Sequence, residues 1–161
     1  MLAVWTGDWS TMVRLIGGFM SEKVVLRQKS NFDTELWATD PEDAQAQELK
    51  PVEHVFALSP YGMLLASLAG CTAVLLTTYA RNHQIGLEEV ELRLQFDRDF
   101  AKDCEHCEEI GDLKEIIAEE IVFKGNLTPE QRKKLLAISR HCPIHRMVSE
   151  GIEVRSRVVD A

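Results

Sequence analysis

Two cysteines stand where thiol chemistry is feasible. Cys71 lies in the run Tyr61 to Ala80, which holds no charged residue, and Cys142 lies in Ser139-Arg140-His141-Cys142-Pro143-Ile144-His145-Arg146. The thiolate is the nucleophilic form of cysteine. Arg140, His141, His145 and Arg146 favour that form at Cys142 by Coulomb attraction. The same cations also complement the negative end of a helix, so a purely structural role stays open there. For Cys71 the plain alternative is core packing, because a free cysteine behaves as a small hydrophobe. A second pair, Cys104-Glu105-His106-Cys107, sits in the charged stretch 97–113. With His141, Cys142 and His145 it offers imidazole and thiolate to a metal. One Cys-x-x-Cys is half of a structural zinc site, and no second cysteine pair completes it. Cys104 and Cys107 are therefore read as a loop feature, and no metal or other cofactor is expected.

Helices must carry both cysteines. Ser59 is an N-cap residue and Pro60 suits the first helical position, where its missing N–H costs nothing. The helix is predicted from Pro60 to Asn82 or His83, with Gly86 as its terminator. Ser67, Gly70, Thr72 and the alanines leave room for another helix to approach. A second helix starts at Thr128-Pro129-Glu130-Gln131, a capping box with proline again at the first position. Leu135, Leu136, Ile138 and Cys142 give it an apolar face. Pro143 ends it near Arg140 to Cys142, with a short turn at Met147 and Val148. The formal glycosylation sequon Asn126-Leu127-Thr128 is explained by the cap.

The remainder reads as strand. Val24 to Gln28 and Glu35 to Ala38 are short apolar runs. Val90, Leu92, Leu94 and Phe96 alternate with Glu91, Arg93 and Gln95, and Ile116 to Lys124 is again strand-like. Ile152, Val154 and Val158 alternate with charged residues as a final strand. Residues 41–51 are a loop or short helix, and Val52 to Leu58 an extended lead into the long helix. The fold class is α+β with antiparallel-rich sheet.

A chain of 161 residues is expected to form one domain, over 20–161, preceded by a weakly ordered extension at 1–19 that lies before the start-like Met20. The formal net charge of −8 speaks against nucleic-acid binding, which needs clustered Lys and Arg. The uncharged run is long enough to cross a bilayer, but its Ser, Thr and Tyr residues and the amphipathic strands after it favour a core helix. Four cysteines without a secretory leader point to a reducing, cytoplasmic setting.

Leu65-Ala66-Ser67-Leu68-Ala69-Gly70-Cys71-Thr72-Ala73, followed by Leu127-Thr128-Pro129-Glu130-Gln131 and then His141-Cys142-Pro143-Ile144-His145-Arg146, resembles the OsmC/Ohr family of osmotically inducible and organic hydroperoxide resistance proteins. The resemblance spans roughly Ser59 to Val159. It implies an intertwined homodimer with two long central helices packed against sheets. It also implies a thiol peroxidase in which Cys71 attacks an organic hydroperoxide and Cys142 resolves the product as a disulfide, with a dithiol such as a lipoyl group as reductant. A pocket at the dimer seam, lined by Met63, Leu64 and similar residues, would take the apolar peroxide. The chain departs from the active members at one place: Tyr61 stands where they carry a glutamate that orients an activating arginine. Arg27 is the one arginine between Met20 and the helix, and Glu53 is another carboxylate that could serve. A non-catalytic member of the fold, binding a small apolar or thiol-reactive ligand at the dimer interface, is the alternative. A zinc-stabilised protein using Cys104, Cys107 and nearby histidines is the third.

Overall fold

The computed structural model describes residues 22–40, 47–54, 57–96 and 116–158. Five strands and three helices follow in the order β1 (Lys23–Lys29), β2 (Thr34–Ala38), β3 (Lys50–Pro51), α1 (Pro60–Asn82), β4 (Gly86–Phe96), β5 (Ile117–Asn126), α2 (Pro129–Ser139) and α3 (Pro143–Glu150). The strands form one antiparallel sheet in the order β3-β2-β1-β4-β5. The extension 1–19 and the pair Cys104 and Cys107 lie outside the described residues.

Alternation along the strands gives the sheet two unlike faces. Val24 stands opposite Leu94, Leu26 opposite Leu92 and Gln28 opposite Val90. These side chains face α1, where Leu65, Leu68, Ala69, Ala73, Leu76 and Ala80 complete the core. Each fully buried leucine among them contributes about 1.5–3 kcal/mol of transfer free energy. The intervening residues Val25, Arg27, Glu91 and Arg93 stand on the outer face.

The first turn of α1 is held from a distance. Glu22 Oε1 accepts the Ser59 amide at 3.2 Å, and Oε2 accepts the Gly62 amide at 3.0 Å and the Ser59 hydroxyl. Ser59 Oγ itself accepts the Gly62 amide at 3.1 Å, the expected cap. A Cβ at position 62 would displace the Glu22 carboxylate from where it holds this turn.

The helix does not stop at Gly86, which instead opens β4. His83 is the C-cap. Gln84 donates to Arg81 O at 3.3 Å and Ile85 to Ala80 O at 2.9 Å, the paired bonds of a Schellman motif. Gln84 takes the left-handed conformation, φ 52°, that this motif demands. The capping box at Thr128 forms as predicted, with Gln131 reaching back to the Thr128 amide at 2.9 Å.

Three expectations are corrected. Residues 143–150 form the helix α3 rather than a short turn at Met147 and Val148, because Cys142-Pro143 starts a helix as Ser59-Pro60 and Thr128-Pro129 do. Residues 151–158 carry no strand pairing among the described residues, and Ile152, Val154 and Val158 are exposed. In the 41–51 stretch, Lys50 and Pro51 add a two-residue strand to β2.

Candidate active site

Cys71 projects from the middle of α1. Leu64, Ser67, Cys71, Val74 and Thr78 recur at three- and four-residue steps, which places them on one stripe of the helix. Leu64, Ser67, Val74 and Thr78 are exposed and Cys71 is half-buried. The stripe is the side of α1 turned away from the sheet, so Cys71 is approached from there.

Cys142 comes to the same place by a different route. After Ser139 the chain makes a two-residue turn, in which His141 donates to Ile138 O at 2.9 Å and Cys142 donates to Ser139 O at 3.1 Å. Cys142 is then the N-cap of α3, with Pro143 at its first position. Its side chain makes no capping bond and is fully buried. Arg140, His141 and Arg146 are exposed and His145 half-buried, so these cations lie towards solvent while the sulfur lies in the core.

The two thiols meet. Cys71 lies beside the Cys142 side chain and the backbone amide of Ile144, and both act on its ionisation. Ile144 is the second residue of α3, one of the first-turn amides that the helix itself leaves without a partner. The ionisation of Cys71 is set by opposing causes. Burial raises its pKa most, and the hydrogen bond and charge of Cys142 raise it further; only the Ile144 amide lowers it. None of these influences is a cation. Among the described residues, Cys71 is an uncharged thiol held next to a second thiol.

The other expected site residues are dispersed. Tyr61 packs edge-on against Phe96, with ring centroids 4.9 Å apart, at the N-terminal end of α1. Met63 and Leu64 follow in the same turn, Met63 half-buried and Leu64 exposed. Glu53 is exposed in the segment before α1. Arg27 stands on the outer face of the sheet, the face opposite α1, with its Nε 2.5 Å from Glu91 Oε2. The structure thus brings Cys71 and Cys142 together and holds Arg27 apart from them.

Two groups near the core went unread in the sequence. One is the Ile144 amide, which the Cys142-Pro143 pair signals by analogy with the other two helix starts. The other is Glu119, on the core side of β5 opposite Leu94. Its Oε1 is buried without a partner, and burial pushes its carboxyl above the ordinary range. An acidic residue among Ile117, Ile121 and Phe123 was visible as an irregularity of the alternation. No three His, Cys, Asp or Glu side chains converge on a metal position among the described residues.

A family model described as OsmC-like protein matches residues 52–157. The chain belongs to the OsmC-like protein family. The match takes in α1, α2, α3 and both site cysteines, so the pair described above lies wholly inside the family's shared region. Among solved structures, an OsmC-like hydroperoxide resistance protein from Jannaschia sp. CCS1 superposes with a TM-score of 0.59 at 15% sequence identity, covering 87% of this chain and 94% of that one. At that identity the likeness is one of fold. Among curated proteins, none matches this sequence.

Proposed function

We propose that this OsmC-like protein is a thiol-dependent peroxidase that reduces organic hydroperoxides through Cys71 and Cys142. The observation that carries the reading is the contact between the two sulfurs, which joins a half-buried thiol to a buried one across two helices. The similar fold belongs to a hydroperoxide resistance protein, which agrees with the same chemistry.

Cys71 loses its proton and attacks the terminal oxygen of the hydroperoxide. The O–O bond breaks, and the alkoxide takes up a proton and leaves as an alcohol. Cys71 is then a sulfenic acid. The Cys142 thiol attacks that sulfur, water leaves, and a disulfide forms, which stops further oxidation. A dithiol, of which a lipoyl group is one form, reduces the disulfide and becomes oxidised itself. Ile144 N–H supports the thiolate at the first step.

The same reading makes the protein a homodimer. Leu64 and Val74 flank Cys71 on the exposed stripe of α1, and Leu136, Met147, Val148, Ile152, Val154 and Val158 add further exposed apolar surface. A second copy seated there would enclose Cys71 with Met63 and Leu64 in an apolar seam suited to an organic peroxide.

A second reading keeps the seam and drops the chemistry. Tyr61, read as standing in the place of the family's glutamate, packs against Phe96, and among the described residues no cation acts on Cys71. That favours a protein that binds a small apolar or thiol-reactive ligand without turnover. One experiment separates the two. Reduced protein is mixed with cumene hydroperoxide, and thiol loss and intact mass are followed in wild type and Cys71→Ser. Rapid oxidation that depends on Cys71 supports the peroxidase; slow oxidation, equal in both proteins, sinks it.

A further inference from the structure

The outer face of the sheet carries a second site, remote from the thiols. Glu91 is only 3% exposed, although it stands on the side of β4 away from α1. Two arginines hold it. Arg27 Nε lies 2.5 Å from Glu91 Oε2, and Arg93 donates through Nε to Oε1 at 2.7 Å. Burial pushes the Glu91 carboxyl upward, but the hydrogen bonds and charges of Arg27 and Arg93 override it and hold the group ionised. Both arginines remain close to half-exposed. Glu91 thus works as a buried post that fixes two guanidinium groups pointing outward.

Beside them is a cavity of about 310 Å³ lined by Lys23, Val25, Arg27, Leu49, Glu91 and Arg93, with Val24 and Leu94 at its base. Its lining sets three cations against one carboxylate, in a chain of net charge −8. Lys23 Nζ donates to Gln47 Oε1 at 2.8 Å and has no carboxylate partner among the described residues. Arg27 engages Glu91 through Nε, and its plane sits 4.9 Å from the Trp37 ring centroid. Among the described residues its two terminal nitrogens have no acceptor. Glu120 takes Arg93 Nη1 at 3.4 Å and Glu89 takes Lys124 at 2.6 Å. Glu35 stands directly opposite Arg27 on the same face, with no ion pair to it among the described residues. Val25 and Leu49 supply an apolar wall.

We propose that this cavity binds a small carboxylic acid with an apolar body. The carboxylate would accept the free fork of Arg27 and the Lys23 ammonium, a charge-assisted arrangement in fixed geometry. The apolar part would lie on Val25 and Leu49. The volume is at the lower end of the range of small-molecule sites.

Calorimetric titration with benzoate tests the assignment, with inorganic phosphate as a second arm and constant ionic strength. The expected result is saturable one-to-one binding of benzoate by wild type and equally by Cys71→Ser, because the site is independent of the thiols. Lys23→Gln weakens it about tenfold to a hundredfold, the share of one charged hydrogen bond. Arg27→Lys keeps Glu91 neutralised but loses the fork, and weakens binding by about tenfold. Leu49→Trp fills the exposed rim and abolishes binding without touching the ion cluster. Absence of saturable benzoate binding, or binding unchanged in all three variants, overturns the proposal. Phosphate bound more tightly than benzoate overturns the ligand class.

Discussion

Cys142 touches Cys71 from the start of α3, and of the two sulfurs it is the one sealed from solvent. The order of reaction follows from that burial. A peroxide reaching the stripe on α1 meets Cys71 first, and Cys142 can act only on what Cys71 has become. In Cys71→Ser, cumene hydroperoxide is expected to leave Cys142 reduced. In Cys142→Ser, Cys71 is expected to oxidise once per chain, form no intramolecular disulfide, and proceed to the sulfinic acid under excess peroxide. Intact-mass spectrometry reads both outcomes, and a Cys71→Ser protein whose Cys142 oxidises at the wild-type rate would reverse the order of the two thiols.

The thiol environment has a pH signature. Burial and Cys142 raise the Cys71 pKa above the ordinary thiol value. Below that value both folded and unfolded chains hold the proton, and the stabilisation is complete. As pH rises, the unfolded thiol ionises first, so stability falls until the folded thiol has ionised too. Chemical denaturation across the alkaline range is expected to show this slope in wild type and a flatter one in Cys71→Ser. Alkylation of Cys71 by iodoacetamide should rise with a midpoint on the alkaline side of a free thiol.

Glu119 and Glu91 carry opposite signs on the acid side. Burial raises the Glu119 pKa, so its ionisation costs stability as pH rises from the ordinary carboxylate range towards neutral. Glu119→Gln is expected to stabilise the protein at neutral pH, because a neutral amide avoids holding a charge in the same buried place. Burial alone would raise the Glu91 pKa, but the hydrogen bonds from Arg27 and Arg93 carry it below the ordinary value. Its stabilisation is present at neutral pH and lost as pH falls through the folded-state pKa. Thermal unfolding of both Gln variants between acid and neutral pH separates the two slopes; a loss of stability in Glu119→Gln at neutral pH contradicts the assignment.

Gln84 holds a position that glycine would occupy at lower cost. Its φ of 52° lies in the left-handed region, and its amide and that of Ile85 complete the Schellman motif. For a residue with a Cβ this region costs about 1–2 kcal/mol. Gln84→Gly is expected to raise stability by about 0.5–1 kcal/mol, part of the relief being offset by the entropy of glycine in the unfolded chain. Urea unfolding with an unchanged m-value checks it.

The elements whose signals are local were legible in the sequence. Ser59-Pro60 and Thr128-Pro129 marked helix starts because capping is decided within one turn, and the alternation from Val90 to Phe96 named the two faces of β4. The family region also followed from short motifs around Cys71 and Cys142. What stayed hidden depends on distant parts of the chain. Nothing near Arg27 says that it pairs with Glu91 across the β1–β4 ladder, on the face away from Cys71. Nothing near Ile144 says that its amide meets a sulfur from α1. Pro143 was read as the end of one helix, when the same ring also begins the next. The alternation at 152–158 was read as a final strand, but pairing needs a neighbouring strand, and this chain offers it none among the described residues.

The Glu22 carboxylate ties the first turn of α1 to the entry of β1, across sequence separations of 37 and 40 residues. Helix nucleation is the slow, costly step of helix formation, and here the groups that complete the first turn arrive only when β1 has docked. The start of α1 thus draws on a long-range partner as well as on its own Ser59 cap. A substitution at Glu22 should slow folding more than the same loss at Thr128, whose capping partner is only three residues away.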